Sequence, residues 1–282
     1  MSLTIITPSL NYGRFLGDCL QSVAAQMQDI ANDEKMWAGR PRSLMIEHLV
    51  IDAGSSDDSA LIAAKFPHIT WIQEPDEGMS DAINKGFDQA KCDWIMWLNA
   101  DDRLKPKSLA NVIRFLEKSN ADVVYGNWDF VDESGNYLRS VTAPRWSKFV
   151  HIHHHCLVGS TAAFYRKSSV IDQGYRLRKD FRYVMDGEFY ARLDSIGKHF
   201  EHMPVIVADF RLHGDNASIR HSGISRDMKT ILAAEYQHVE SRSIRRAYGI
   251  TLSKDPYLNG LMDGILWILA RTWKFVLKCI DR

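Results

Sequence analysis

An apolar run of strand length, Trp94-Ile95-Met96-Trp97-Leu98, ends abruptly in Asn99-Ala100-Asp101-Asp102, with Arg103 and Pro106 just beyond. Two adjacent carboxylates repel each other unless something positive sits with them. A hard divalent cation, Mg²⁺ or Mn²⁺, is suited to that place because it prefers carboxylate and phosphate oxygens as ligands. A buried strand of an open α/β sheet delivers such groups to the crevice above the carboxyl edge, where ligands bind. The alternative is a strand followed by an acidic, solvated turn.

Two further segments carry polar chemistry at the same kind of junction. Ile51-Asp52-Ala53-Gly54-Ser55-Ser56-Asp57-Asp58 places a carboxylate at a strand end, then a glycine and small hydroxyl residues that let backbone approach a ligand. Asp52 can accept from a nucleobase N–H or a ribose hydroxyl, while Ser56 or Asp57 can instead cap the next helix. Glu74-Pro75-Asp76-Glu77-Gly78-Met79-Ser80-Asp81 leads into a helical pattern in which Asp81, Asn84, Lys85 and Asp88 share one polar face. A solvated face with an Asp81–Lys85 pair accounts for Asp88. Asp81, at the helix entrance beside the acidic turn, reads as ligand-facing.

These junctions need strands and helices in alternation, and the first third of the chain supplies them. Strands are expected at residues 3–7, 48–51, 70–73 and 94–98, and helices at 13–26, 59–65 and 80–90, the last capped by Ser80. Residues 29–43 read as a loop insertion. Beyond the acidic turn, a helix at 107–118, a strand at 122–125 and a hairpin at 130–138 are expected. Strands at 160–165 and 205–210 flank a helix at 186–196 that Gly197 can end.

The 282 residues suffice for a full core near the upper limit of one domain. Acidic and basic residues balance at 35 each, so no global field favours nucleic acid. The four cysteines, Cys19, Cys92, Cys156 and Cys279, form no C-x-x-C pair, which argues against a zinc site or disulfide framework and suits a reducing compartment. No secretory signal opens the sequence, so a cytoplasmic protein is expected. No G-x-G-x-x-G follows an expected strand, which disfavours a dehydrogenase.

Thr4-Ile5-Ile6-Thr7-Pro8-Ser9 with Asn11, then Ser22-Val23 and Gln26, resembles the opening of family 2 glycosyltransferases of the GT-A fold. Residues 50–57, Asp76-Glu77-Gly78 and Asp81-Ala82-Ile83-Asn84-Lys85-Gly86 resemble that family's next segments, and Leu98-Asn99-Ala100-Asp101-Asp102 its Asp-x-Asp metal motif. The likeness spans roughly the first 105 residues with four motifs in family order. It implies a mixed, mainly parallel α/β sheet flanked by helices, a nucleotide-sugar donor and Mn²⁺ or Mg²⁺. On that likeness Thr7, Pro8, Ser9, Asn11, Asp52, Gly54, Asp81, Asn84, Lys85, Asn99, Ala100 and Asp101 belong to the donor site, and Asp101 and Asp102 to the metal. Two residues depart from the pattern. Asn99 and Ala53 stand where aspartates are commoner, and an amide at 99 adds no charge for the cation.

In the second half, Tyr183-Val184-Met185-Asp186-Gly187-Glu188 with Arg192 resembles the family segment that holds the catalytic aspartate at a helix start. Asp186 is the candidate base, since an inverting transfer needs a carboxylate to take the acceptor hydroxyl's proton. An ordinary helix cap is the other reading, and Glu188 is the poorer base. His151, His153 and His155 alternate along a possible strand, which invites zinc, but no carboxylate or cysteine pair completes such a site. The resemblance instead makes this an acceptor loop, with His155, Ser160, Thr161 and Arg192 on the acceptor side. Phe210-Arg211-Leu212-His213 resembles a segment near the diphosphate, so His213 is a further metal or phosphate candidate; a plain surface histidine is the alternative.

The economical division is a catalytic domain at 1–220, with a donor half at 1–105 and an acceptor half at 106–220, and a helical extension at 221–282. Residues 261–282 form a basic amphipathic pattern with tryptophans, too short in its apolar run to cross a bilayer. It suits an in-plane anchor on an anionic membrane surface, or a helix packed on the domain or a dimer partner. The expectation is a metal-dependent, inverting glycosyltransferase, peripherally attached to the inner face of the cell membrane, using a nucleotide-sugar, UDP-linked by default. The acceptor would be a lipid-linked or oligosaccharide glycan destined for the cell surface. The rivals are a sugar-phosphate nucleotidyltransferase, which would want a glycine-rich basic loop after the first strand, and a non-catalytic nucleotide-sugar-binding or scaffold protein. Oligomeric state stays open.

Overall fold

The computed structural model describes residues 1–33, 44–148, 151, 157–181 and 183–216. His155, the extension expected to be helical at 221–282 and the amphipathic helix expected at 261–282 lie outside the described residues. A nine-stranded sheet runs in the order Ile69–Gln73, Met45–Asp52, Ser2–Ser9, Trp94–Trp97, Ala163–Arg166, Val123–Val131, Phe200–Arg211, Arg103–Leu104, with Tyr137–Val141 paired to Val123–Val131. In chain order the elements are β1 (Ser2–Ser9), α1 (Gly13–Asn32), β2 (Met45–Asp52), α2 (Ser59–Ala63), β3 (Ile69–Gln73), α3 (Met79–Gln89) and β4 (Trp94–Trp97). There follow β5 (Arg103–Leu104), α4 (Ser108–Leu116), β6 (Val123–Val131), β7 (Tyr137–Val141), β8 (Ala163–Arg166), α5 (Met185–Ser195) and β9 (Phe200–Arg211).

The first four strands are parallel, as alternating strand and helix patterns require. From β1 the chain passes through α1 to β2 and β3 on one side, and through α3 to β4 on the other. The order therefore reverses between β1 and β4, the position at which open α/β sheets leave a ligand crevice beyond their carboxyl ends. Antiparallel neighbours enter in the second half: β8 runs against β4 and β6, and β7 and β5 against β6 and β9.

α1 buries Phe15, Cys19, Val23, Gln26 and Ile30, spaced three or four apart, with Leu16 and Leu20 beside them, so that one stripe faces the sheet. Opposite it, Trp97 stacks on Tyr165 at 5.1 Å between ring centres, and Phe87 and Phe189 close the layer under α3 and α5. Such rings bury much apolar area at low entropic cost and fix how α5 sits against β8.

Several expected boundaries move. α1 continues to Asn32, past the expected end at 26. α3 starts at Met79 behind Gly78, whose φ of 115° no side-chain-bearing residue readily adopts, so Ser80 is not the cap. Ser80 instead turns inward onto the Met185 sulfur. α4 spans Ser108–Leu116, with Lys107 in the left-handed conformation ahead of it. β6 and β9 are much longer than their apolar cores suggested, because each is paired along its length. Residues 160–162 form a 3-10 turn before β8. His151 sits in a helical turn, its N–H donating to the Ser147 carbonyl at 2.9 Å, so the expected alternation along a strand fails at its first member. That ring is buried and bonded to the Gly187 carbonyl at 3.0 Å.

Candidate active site

The exits of β1 and β2 are clasped to each other. Ala53 N–H donates to the Ser9 carbonyl at 3.0 Å. Asn11, at φ 57°, directs its side-chain oxygen to the Ser56 N–H at 2.8 Å, while its own N–H donates to the Ser55 hydroxyl. Asp57 accepts from Gly13 N–H at 2.8 Å and from Ser59 N–H at 3.0 Å, so one carboxylate takes the first N–H of both α1 and α2. Burial alone would raise its pKa, but the Ser59 hydroxyl and these N–H groups hold it below the ordinary carboxylate value. Asp52 is fully buried and accepts from Gly54 N–H, Ser55 N–H and the Ser55 hydroxyl. It therefore shapes the loop, with Gly54 at φ 95° supplying the turn. Thr7 points into the core and pairs with His48 at 2.9 Å, whose pKa burial pushes down to about 3 with help from neighbouring His68. The buried Ser9 hydroxyl has no partner among the described residues. Pro8 lies buried between these residues at the mouth of the crevice.

The acidic turn lies at the exit of β4, next to β1. Asn99 donates to Asp102 Oδ2 at 3.0 Å, and Asp102 N–H returns to the Asn99 carbonyl. Ala100 is buried in a cluster with Leu16, Leu20, Val50 and Ala63. Asp102 is 1% exposed; burial first, and the Asp101 charge second, raise its pKa well above the ordinary value. Asp101 stands in front of it at 8% exposure.

What offsets this paired acidity comes from 110 residues away. Arg211, at the end of β9 and only 2% exposed, gives its N–H to Asp102 Oδ1 at 3.0 Å and its Nε to the Asp101 carbonyl at 2.8 Å. Its other nitrogens reach the Glu133 carbonyl and Asp18. Two residues on, His213 Nε2 lies 2.8 Å from Asp101 Oδ2. The ring packs on Phe15 at 4.8 Å between centres, and its Nδ1 accepts from Asp215 N–H. Asn216 donates to Asp101 Oδ2 and to the Arg211 carbonyl. Arg14 crosses from α1 to Asp215 and Glu133. Beside them the Tyr12 hydroxyl is pushed up to about 12 by burial and by the charges of Asp101 and Asp215, with Arg14 opposing.

The opposite wall is formed by the N-termini of α3 and α5, joined by the Ser80–Met185 contact. Asp81 pairs with Lys179 at 2.7 Å and with Lys85 at 3.7 Å, and its pKa is lowered, chiefly by Lys179. Asn84 spends its amide on both backbone groups of Leu177, and Lys85 reaches the Pro75 carbonyl. Asp88 pairs with Arg176 at the surface. Asp186 occupies the first turn of α5, half-buried, behind the capping position that Val184 fills. Glu188, fully buried, is held bidentately by Arg192 at 2.7 and 3.0 Å. Arg192 also donates to the Arg176 carbonyl, so its guanidinium braces the segment before α5. Ser160 is half-buried, and Thr161 is buried beside Asp102.

The donor set suits a hard divalent cation that also takes substrate oxygens. Among the described residues no group of three or more His, Cys, Asp or Glu could enclose a metal by itself. None is required, since Mg²⁺-like ions are held by one or two carboxylates plus phosphates. The 2.8 Å between Asp101 Oδ2 and His213 Nε2 is close to the edge of about 3 Å of an octahedron with bonds of about 2.1 Å. Asp102, with both oxygens engaged internally, stands behind these two.

The sequence singled out His213 and both aspartates, placed Arg211 in the same segment without a role, and left Arg14, Tyr12 and Asn216 unmarked. Arg211 and Asn216 flank His213 at two and three residues' distance. That clustering of polar groups after an apolar strand was the signal available.

The model of the family described as Glycosyl transferase family 2 matches residues 4–174. A "PGL/p-HBAD biosynthesis glycosyltransferase" of Mycobacterium bovis is 29% identical over 223 residues, covering 75% of this chain and 77% of the relative. S. aureus TarS 1-349, crystallised with UDP-GlcNAc, superposes with a TM-score of 0.64 at 15% identity, over 83% of this chain and 66% of that one. The chain thus spans just under two thirds of the TarS chain it matches. The mannosyltransferase PcManGT of Pyrobaculum calidifontis, in complex with GDP-Man and Mn2+, superposes with a TM-score of 0.56 at 16% identity, over 98% of this chain and 84% of that one.

Proposed function

The chain belongs to glycosyl transferase family 2, and from that premise we propose that it moves a sugar, with inversion, from a nucleotide-sugar to a hydroxyl of a lipid-linked or oligosaccharide acceptor. The observation that carries this reading is the pairing of Asp101 with His213 at the exit of β4, at the reversal of strand order. UDP-sugars are the default donor and GDP-sugars the nearest alternative. Nucleotides of both kinds occur in the structural neighbours TarS and PcManGT.

Asp101 and His213 would hold the divalent cation, with Asp102, Asn99 and Arg211 fixing the turn behind them. Mn²⁺ or Mg²⁺ bound there would act as a Lewis acid on the diphosphate. Asp186 takes the proton of the acceptor hydroxyl as that oxygen attacks the anomeric carbon. The bond from that carbon to the diphosphate oxygen breaks on the opposite side, so configuration inverts and nucleoside diphosphate leaves. The clasped loops after β1 and β2 shape the nucleotide end, and the wall from Asp81 to Asp186 faces the transferred sugar.

Asp101→Ala tests the reading. Transfer and Mn²⁺-dependent binding of UDP or GDP should both disappear while the protein stays folded. Transfer by that variant at the wild-type rate in EDTA would sink it.

A lipid-linked acceptor for a cell-surface glycan is part of this proposal; the basic amphipathic pattern at 261–282 supports it, since an enzyme held at a membrane meets lipid-linked sugars. No helix among the described residues is long and apolar enough to cross a membrane. Co-sedimentation with anionic vesicles at low and high salt checks attachment. A chain ending near residue 259 should stay in the supernatant while the full chain pellets, and the full chain failing to pellet would exclude the membrane role.

A further inference from the structure

The short segment after β9 contains a group whose side chain touches both candidate metal-holding residues. Asn216 is 5% exposed. Its Oδ1 accepts from His213 N–H at 2.7 Å. Its Nδ2 lies 3.0 Å from the Arg211 carbonyl, 3.3 Å from Asp101 Oδ2 and 3.2 Å from His213 Nε2. A planar amide offers an acceptor on one arm and two N–H donors on the other. Both arms are used here: one fixes the backbone of His213, the other meets the Asp101 oxygen that faces the imidazole.

We propose that Asn216 is a positioning residue, one that sets Asp101 and His213 at the spacing at which they receive the divalent cation. The proposal rests on the metal reading given above. The chemistry of the position supports it. An alanine would leave His213 N–H and the Arg211 carbonyl without partners in a buried place, where each unmade bond is costly. An aspartate would keep the acceptor arm but bring a negative charge to Asp101 and lose both donors. Glutamine offers the same groups one methylene too far from a four-residue turn, which is itself closed by Asn216 N–H donating to the His213 carbonyl at 3.3 Å. Groups that orient metal ligands from behind typically change metal affinity by about 10–100-fold when removed.

The test uses the full chain, with Mn²⁺ and UDP or GDP as probes, read by calorimetry and by the Mn²⁺ paramagnetic resonance signal. Asn216→Ala should weaken Mn²⁺-dependent nucleotide binding at least about tenfold and raise the Mn²⁺ concentration needed for half-maximal turnover. Nucleotide binding without metal should stay at the wild-type level. In a His213→Ala background the same substitution should add less than about threefold, because residues acting through one another are non-additive. Wild-type-like Mn²⁺ binding in Asn216→Ala would overturn the proposal, as would a further full tenfold loss on top of His213→Ala. If the wild-type protein binds nucleotide equally with and without Mn²⁺, the metal reading itself has failed and the role of Asn216 falls with it.

Discussion

Replacing Arg211 by methionine is the sharpest test of how the acidic turn is held. The methionine chain fills most of the aliphatic volume, so little cavity is created, and the backbone N–H to Asp102 survives. Three side-chain bonds are lost: Nε to the Asp101 carbonyl at 2.8 Å, Nη1 to the Glu133 carbonyl at 2.8 Å and Nη2 to Asp18 at 3.0 Å. The last contributes little, because the Asp18 side chain is 60% exposed and exposed ion pairs are worth about 0–1 kcal/mol. Glu133 is exposed, so water can take over its carbonyl in part. The Asp101 carbonyl is buried, and orphaning it costs about 1–3 kcal/mol. Two carboxylates also lose their nearest buried cation. The sum is about 2–4 kcal/mol, or about 4–16 °C in Tm at about 2–4 °C per kcal/mol for a domain of this size. Urea and thermal melts in EDTA measure it. Arg211→Lys should recover less than half, since an ammonium cannot serve three directions at once. A loss below about 0.5 kcal/mol, the range of an ordinary surface substitution, would refute the view that Arg211 braces the turn.

Asp186→Asn should keep nucleotide binding and lose turnover by about 10²–10⁴-fold, measured by nucleoside diphosphate release; a loss under about tenfold would move the base elsewhere. Asp102→Asn should stabilise the metal-free protein at neutral pH, with Asn99 turning its oxygen, which has no partner among the described residues, toward the new amide. The sign follows from a folded pKa raised by burial and by Asp101: below about pH 3.9 both states are protonated and the gain vanishes. It then grows as pH rises toward the folded value, so urea melts across pH should diverge upward, and parallel curves would contradict it. Gly159→Ala puts a Cβ 2.8 Å from the Trp128 ring, and overpacking of this kind costs about 1–3 kcal/mol; an unchanged melt would mean that the ring moves freely.

The parts of this protein written locally were legible in the residues. Strand and helix periods, the Gly-Ser turn after Asp52 and the polar stop after Trp94–Leu98 depend on neighbours within a few positions. They placed the parallel half, its crevice and the acidic turn within it. The hairpin at Gly135, with φ 85°, and the end of α5 at Gly197, with φ 84°, were legible for the same reason. What each polar group spends its bonds on was not. Thr7 turns to His48, Asn84 to Leu177 and Arg192 to Glu188, because packing sets the direction of a side chain after sequence has set its type. Arg211, His213 and Asn216 reach Asp101 because β5, the strand leaving the acidic turn, pairs antiparallel with β9 and brings Arg103 opposite Asp209. A contact across 112 residues has no local signature. It follows from strand order, which is decided by where the whole chain can bury its apolar faces.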